Sequence, residues 1–352
     1  MEATQQTVSL SDLDRFCRDI LKACGANETT VDATTRAMMH ATRCGVDSHG
    51  VRLLAHYVKA LEGGRLNKAP NLRKVSGFGA VETLDADHAQ GAVGAYAGMD
   101  RAIELAKKFG IGAVGIRNNS HFGAAGAFSI EAARQGLIGL AFCNSDSFVR
   151  LHDGASRFHG TNPISMAVPV AGGDPWLLDM ATSAVPFNRV LLYRSTETQL
   201  PQGVASDAAG IDTTDAHLTE MLAPLGAAFG FKGAGLAGIA EIFSAVLTGM
   251  RLSFDIPSMM GEDMQTPREL GAFVLAIHPE AFGDKATFDA GMQRYVETLR
   301  TSPAREGAFV MAPGDREWKV ERHRNAHGVQ LDPATESAFQ DLSRHYGVSM
   351  PV

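Results

Sequence analysis

The sequence predicts a mixed α+β fold of the α/β class, a mostly antiparallel sheet joined to a helical unit, on three observations. Hydrophobic residues fill 45% and charged residues 20% of the 352 positions, the balance of a chain with a real core. The first 65 residues carry only helical periodicity. Beyond Pro70, short β-rich segments alternate irregularly with helical ones, and 137–178 hold several strands and no helix. A parallel βαβ array would place a helix after each strand, so the irregularity favours antiparallel pairing.

Ser9 or Ser11 can cap a first helix, whose Leu13, Phe16, Ile20 and Leu21 recur at three- and four-residue steps before Gly25 stops it. A second helix is expected over 30–44 and a third over 51–61, closing at Gly63-Gly64. No strand is expected among these residues. Strands follow at 81–84, 112–116, 138–142, Ile164–Val168 and 176–179, with helices at 95–109, 124–134 and 235–247. Residues 257–265 read as a loop. A strand (271–277), a helix (285–298), a loop (311–316) and a last helix (333–346) complete the chain.

The net charge of −7, with no basic block, argues against nucleic acid or anionic membrane as partner. The N-terminus is too polar for a signal peptide, and no stretch approaches the ~18 uncharged apolar residues of a membrane span. Cys17, Cys24, Cys44 and Cys143 fit no metal-ligand spacing and read as reduced core thiols, so a cytoplasmic location is expected. H-E-x-x-H, facial-triad and G-x-S-x-G patterns are missing, which leaves no metal expected and lowers the hydrolase reading.

Three segments are rich in glycine. Gly110-Ile111-Gly112-Ala113-Val114-Gly115 matches a dinucleotide fingerprint by letter, but a helix precedes it and a strand follows, the reverse of the order the motif needs. Gly233-Ala234-Gly235-Leu236-Ala237-Gly238 opens a helix without a preceding strand. Lys232 before it, beside free helix amides, forms either an anion site or a solvated lysine next to a packed helix. Asn118-Asn119-Ser120-His121-Phe122-Gly123-Ala124-Ala125-Gly126 has strand, small-residue loop and helix in the right order. Here His121 is either a proton carrier or the structural histidine of a capped turn.

Asp47-Ser48-His49-Gly50 lies in the break between two helices. Moving a hydride onto or off a hydroxy-bearing carbon also moves a proton, and imidazole titrates near neutrality. Ser48 can relay that proton or hold the ring. Arg52 offers the fork that a carboxylate prefers, and His56 and Tyr57 follow one turn later. Any one of the twelve histidines can be structural. Acid, hydroxyl, imidazole, glycine and arginine within six residues favour chemistry.

These segments, with Gly160-Thr161-Asn162-Pro163, Leu178-Asp179-Met180-Ala181-Thr182-Ser183 and Gly230-Phe231-Lys232-Gly233, come in an order that resembles the type-2 malate/L-lactate dehydrogenase family over about residues 8–350. That family includes ureidoglycolate and sulfolactate dehydrogenases, diketogulonate reductase and piperidine-2-carboxylate reductase. The resemblance implies a non-Rossmann NAD(P)-binding domain over 76–309, a discontinuous helical domain from 1–75 and 310–352, and a homodimer. It implies an NAD(P)H-dependent oxidoreductase of a small 2-oxo or 2-hydroxy acid, with reduction of a cyclic imino acid as the alternative. A non-catalytic cofactor-binding protein is the rival from another class.

By position, Ser48 and His49 match the proton-transfer pair. His121, Thr161 and Asn162 match substrate contacts, and Arg52, one residue before the family's usual arginine place, is kept as the binder of the substrate carboxylate. His121, Phe122, Gly123, Asp179, Met180, Ala181, Lys232, Pro313 and Gly314 match cofactor contacts. Two departures stand out. Leu53 holds the place, four after the histidine, where the family often has arginine, and Pro186-Phe187-Asn188-Arg189 replaces a smaller stretch. The acid that would orient the Ser48–His49 pair is not evident; Asp47 is adjacent.

Overall fold

The computed structural model describes residues 7–351. Ser9 caps the helix Leu10–Ala23, its Oγ accepting the Asp12 N–H at 3.0 Å, and Leu13, Phe16, Ile20 and Leu21 are wholly buried. Asn27 caps the helix Glu28–Arg43 in the same way at Thr30. The chain then reverses through two turns of 3-10 helix, Asp47–His49 and Val51–Leu53, into the helix Leu54–Glu62. Thr42 fixes this reversal. Its Oγ1 accepts the Val51 N–H at 3.0 Å, and a Cβ on Gly50 would come within 2.4 Å of the same oxygen.

These helices share one apolar core with Pro333–Tyr346 at the other end of the chain, through Phe16, Met39, Leu54, Phe339 and Leu342. Thr7–Val8 pairs with Val329–Gln330 beside it. The helical region therefore does hold a strand, against the sequence expectation, because two residues are too few to reveal an alternation.

The main sheet has seven strands, in spatial order Arg73–Phe78, Val81–Asp85, Ile111–Asn119, Leu270–Ile277, Ile138–Cys143, Ile164–Val168 and Trp176–Met180. Only Val81–Asp85 and Ile111–Asn119 run parallel; the other neighbours are antiparallel, as expected. Helices Gly91–Phe109 and Gly126–Arg134 cover one face over Ile116, Phe128 and Val274. Phe142, Phe243 and Phe273 cover the other. Gly110, at φ +87°, ends the first of these helices, and a Cβ on Gly112 would meet the Ala102 carbonyl at 2.1 Å. The first glycine pattern is thus a helix stop and a close helix–strand contact.

A four-stranded sheet (Ala205–Ser206, Met221–Leu222, Val149–Arg150, Arg157–His159) packs with the helix Phe187–Ser195 around Val149, Val190, Leu200 and Leu222. The helix Phe231–Glu241 begins before Gly233, so the second glycine pattern lies inside a helix and not at its start. It runs on into a wide turn, Ile242–Val246, whose Leu247 N–H bonds the Ile242 carbonyl at 2.8 Å. Asp315–His327 forms a helix that the sequence reading missed, anchored by Trp318 Nε1 on the Pro175 carbonyl at 2.8 Å. Cys17, Cys24, Cys44 and Cys143 are buried and free. Among the described residues no helix is long and apolar enough to cross a membrane.

Candidate active site

The reversal pinned by Thr42 presents Ser48 and His49 side by side, with Ser48 Oγ 2.9 Å from His49 Nδ1. The His49 ring stacks on that of His121, their centroids 5.5 Å apart. His121 follows the strand Ile111–Asn119, and Tyr57 from the third helix meets its Nδ1 at 2.8 Å. Gln90 Nε2 donates to the His121 carbonyl at 3.1 Å and fixes the loop. Each imidazole is thus held through Nδ1, and neither Nε2 is a sealed, unpartnered atom.

Burial pushes His49 down to about 4. It pushes His121 well below the usual imidazole range, helped by the charges of His49, Arg268 and His56. Both rings are neutral at physiological pH.

A cavity of about 260 Å³ is walled by Ser48, His49, Gly123, Ala124, Thr161, Asp179, Met180 and Ala181, with His121 behind His49 and not itself in the wall. A recess of about 300 Å³ lined by Met311, Pro313 and Gly314 adjoins it, the two sharing Leu177, Asp179, Arg316 and Glu317. Together they form one groove. Gly123 and Gly314 have φ of +88° and +96°, and a Cβ on Gly314 would meet Trp318 Nε1 at 2.7 Å. At the junction Asp179 Oδ2 accepts the Gly126 N–H at 2.8 Å, and burial raises the Asp179 carboxyl to about 6. A long groove with glycine walls and an acceptor at its middle fits a dinucleotide, whose hydroxyl and carboxamide groups donate.

Several expected site residues lie elsewhere. Arg52 is half-exposed, with Nη1 3.9 Å from Asp332 Oδ2 and no place in the cavity wall. Successive residues of a 3-10 turn diverge by about 120°, so Val51 points inward and Arg52 outward. The Phe122 ring packs on Phe128 in the core and offers the groove no side chain. Asn162, at φ +33°, is consumed as a brace. Its Nδ2 donates to Glu241 Oε2 at 2.7 Å and to the Ala237 carbonyl at 3.2 Å, while Oδ1 accepts the Ser145 N–H at 3.2 Å.

Lys232 sits in the first turn of its helix, exposed, 5.4 Å from the Phe229 ring and outside both walls of the groove. Asp47 does not orient His49; both its oxygens accept from Arg324, at 2.5 and 2.9 Å. Arg316 closes the loop that was matched to a cofactor segment, whereas Gln90 and Glu317 were not singled out in the sequence. No local pattern marks them, since distant elements bring them to the site.

The model of the malate/L-lactate dehydrogenase family matches residues 8–340. The (2R)-3-sulfolactate dehydrogenase (NADP(+)) of Chromohalobacter salexigens is 33% identical, over 97% of this chain and 98% of the relative. The ureidoglycolate dehydrogenase (NAD(+)) of Escherichia coli K12 is 30% identical, over 92% of each. Among solved structures, malate dehydrogenase from Entamoeba histolytica superposes with a TM-score of 0.92 at 28% identity, over 99% of each chain. The family model, the relatives and the superposed fold agree, and this chain belongs to the malate/L-lactate dehydrogenase family of NAD(P)-dependent oxidoreductases.

Proposed function

We propose that the His49 site interconverts a small 2-oxo acid and its 2-hydroxy acid, with His49 carrying the proton at the substrate's C2 oxygen. The observation that carries this reading is the Ser48–His49 pair in the cavity wall, with the His49 ring stacked on His121. The nicotinamide supplies or takes up the hydride when the dinucleotide is bound. His49, neutral at rest, accepts the hydroxyl proton during oxidation and returns it to the oxygen during reduction. Ser48 holds Nδ1, which leaves Nε2 for the substrate. Tyr57 fixes His121 as the second polar group beside the reacting carbon.

Gly123, Asp179, Met180, Ala181, Pro313 and Gly314 are read as the cofactor's walls, with Thr161 on the substrate side. The chain is read as a cytoplasmic homodimer. Four free thiols support a reducing compartment. The exposed Phe229, Phe231, Ile242, Val246 and Leu247 support a second copy as partner.

The test is a screen of 2-oxo acids, 2-hydroxy acids and a cyclic imino acid against NADH and NADPH. Turnover of an oxo acid is expected. Faster reduction of the cyclic imine would transfer the same proton role to a C=N bond, and binding without any turnover would end the catalytic reading.

A further inference from the structure

Glu241 ends the helix Phe231–Glu241 at 7% exposure, and the side chains and backbone bonded to its carboxylate are all neutral. Its Oε1 accepts the Ser253 N–H at 2.7 Å and Asn144 Nδ2 at 3.4 Å. Its Oε2 accepts Ser253 Oγ at 2.5 Å and Asn162 Nδ2 at 2.7 Å. Burying a carboxylate among neutral donors is costly, and it is tolerated where the acceptors are filled and one geometry results. These donors cannot turn away. Asn162 also gives Nδ2 to the Ala237 carbonyl and takes the Ser145 N–H on Oδ1, both at 3.2 Å, so its amide has a single orientation. Asn144 is fixed likewise, between the Arg251 carbonyl at 2.8 Å and the Gly271 N–H at 3.3 Å.

What this carboxylate holds is a strained turn beside the His49 cavity. Asn162 has φ +33°, in the left-handed region, and a residue other than glycine keeps that conformation only where its surroundings over-determine it. Asn162 is wholly buried and is not part of the cavity wall, but Thr161 and Pro163 on either side line the cavity with Ser48 and His49. Thr182 Oγ1 donates to the Thr161 and Asn162 carbonyls at 3.0 and 3.1 Å, which secures the path of the chain. The links from Glu241 to Asn162 and from Asn162 to Ser145, whose Oγ accepts the Thr161 N–H at 3.2 Å, secure its rotation about that path.

We propose that Glu241 is a positioning residue, which acts through Asn162 to aim the Thr161–Pro163 wall at the substrate held beside His49. This rests on the proposed oxidoreductase reading of the His49 site.

The experiment follows reduction of whichever 2-oxo acid of the screen above reacts fastest, in the wild type, Glu241→Gln, Asn162→Gly and the double variant, with melting temperature and NAD(P)H binding measured alongside. Glutamine must turn its NH₂ toward a donor that cannot reverse, the Ser253 N–H or Asn162 Nδ2, so the brace fails at either oxygen. Glycine takes φ +33° without strain, removes the brace from the other side and deletes no residue of the cavity wall. Each single variant loses on the order of 100-fold in kcat/KM for the oxo acid, with NAD(P)H affinity within about threefold of wild type, since a misplaced wall costs orientation and not cofactor contact. The double variant loses no more than the worse single one, because both substitutions cut the same link.

A folded Glu241→Gln enzyme with wild-type kcat/KM overturns the assignment. So do losses that multiply in the double variant, the mark of a Glu241 that only supports the fold. If Glu241→Gln does not fold, wild-type kcat/KM in Asn162→Gly overturns it equally. A wild-type chain that binds cofactor yet turns over no oxo or hydroxy acid takes down the reading of the site, and this assignment with it.

Discussion

His49 is the residue on which the chemistry turns, and its surroundings set both its protonation and its aim. Replacing it by glutamine preserves polarity and size while removing the titrating nitrogen. kcat is expected to fall by roughly 10²–10⁴, the usual contribution of a general acid–base group, with NAD(P)H affinity retained. A variant within threefold of wild type would contradict the assigned role. The depressed pKa also fixes a pH profile. Hydroxy-acid oxidation needs the neutral ring, so kcat/KM stays level through neutrality and falls only as pH approaches about 4. A fall centred on the ordinary imidazole value of 6.5 would place His49 in water.

Asp47→Asn, which removes an exposed ion pair with Arg324, is expected to leave this profile unmoved and to cost at most about 1 kcal/mol. The sequence displays Ser48 and His49 as neighbours in a helix break, and His121 in a strand–loop–helix passage. It cannot display direction. Whether Arg52 faces the cavity or Asp332 depends on the pitch of a three-residue turn, and whether Asn162 meets substrate or Glu241 depends on a helix far along the chain.

At the scale of elements, glycines mark where backbone meets backbone. Gly112→Ala would drive a methyl against the Ala102 carbonyl between helix and central sheet, with neither side free to yield. A loss of about 1–3 kcal/mol or more is expected in urea unfolding, and an unchanged midpoint would refute that contact. Gly126→Ala acts on the groove instead, since its Cβ would lie 2.8 Å from Asp179 Oδ2. Weaker cofactor binding with a near-normal melting temperature is expected, whereas full affinity would remove Asp179 from the binding wall.

Strands with one buried face were legible as alternation, as Val81–Asp85 and Ile164–Val168 illustrate. The edge strand Arg73–Phe78 is exposed at every position and carries no such signal. The helix Asp315–His327 buries only Trp318 and shows no apolar stripe, so its existence rests on tertiary anchoring that a local pattern cannot reveal.

For the whole molecule, buried histidines make stability depend on pH. His40 is lowered to about 3, His49 and His56 to about 4, and His121 well below its ordinary value, each chiefly by desolvation. Between these values and the unfolded 6.5 the unfolded chain binds more protons than the folded one, so stability rises with pH across that window and is lost as pH falls through it. His159 is lowered in the same way, whereas Asp179, raised to about 6, and Asp100, also raised by burial, work the other way above 3.8, two groups against five. The melting temperature is therefore expected to drop steadily from pH 7 to pH ~5, and a flat curve would mean that the histidines are hydrated. The mixed, mostly antiparallel sheet was readable from the absence of a helix over 137–178. That the late strand Leu270–Ile277 enters its centre was not, since pairing between distant segments leaves no local trace.

The most direct test of the central claim, that His49 faces the carbon receiving hydride, uses NAD(P)H deuterated at C4 with a 2-oxo acid. The account predicts deuterium at C2 of the hydroxy acid, and in His49→Gln a slower reaction with a larger isotope effect, because the chemical step becomes limiting. Product without deuterium at C2, or a variant with the wild-type rate and isotope effect, would contradict it.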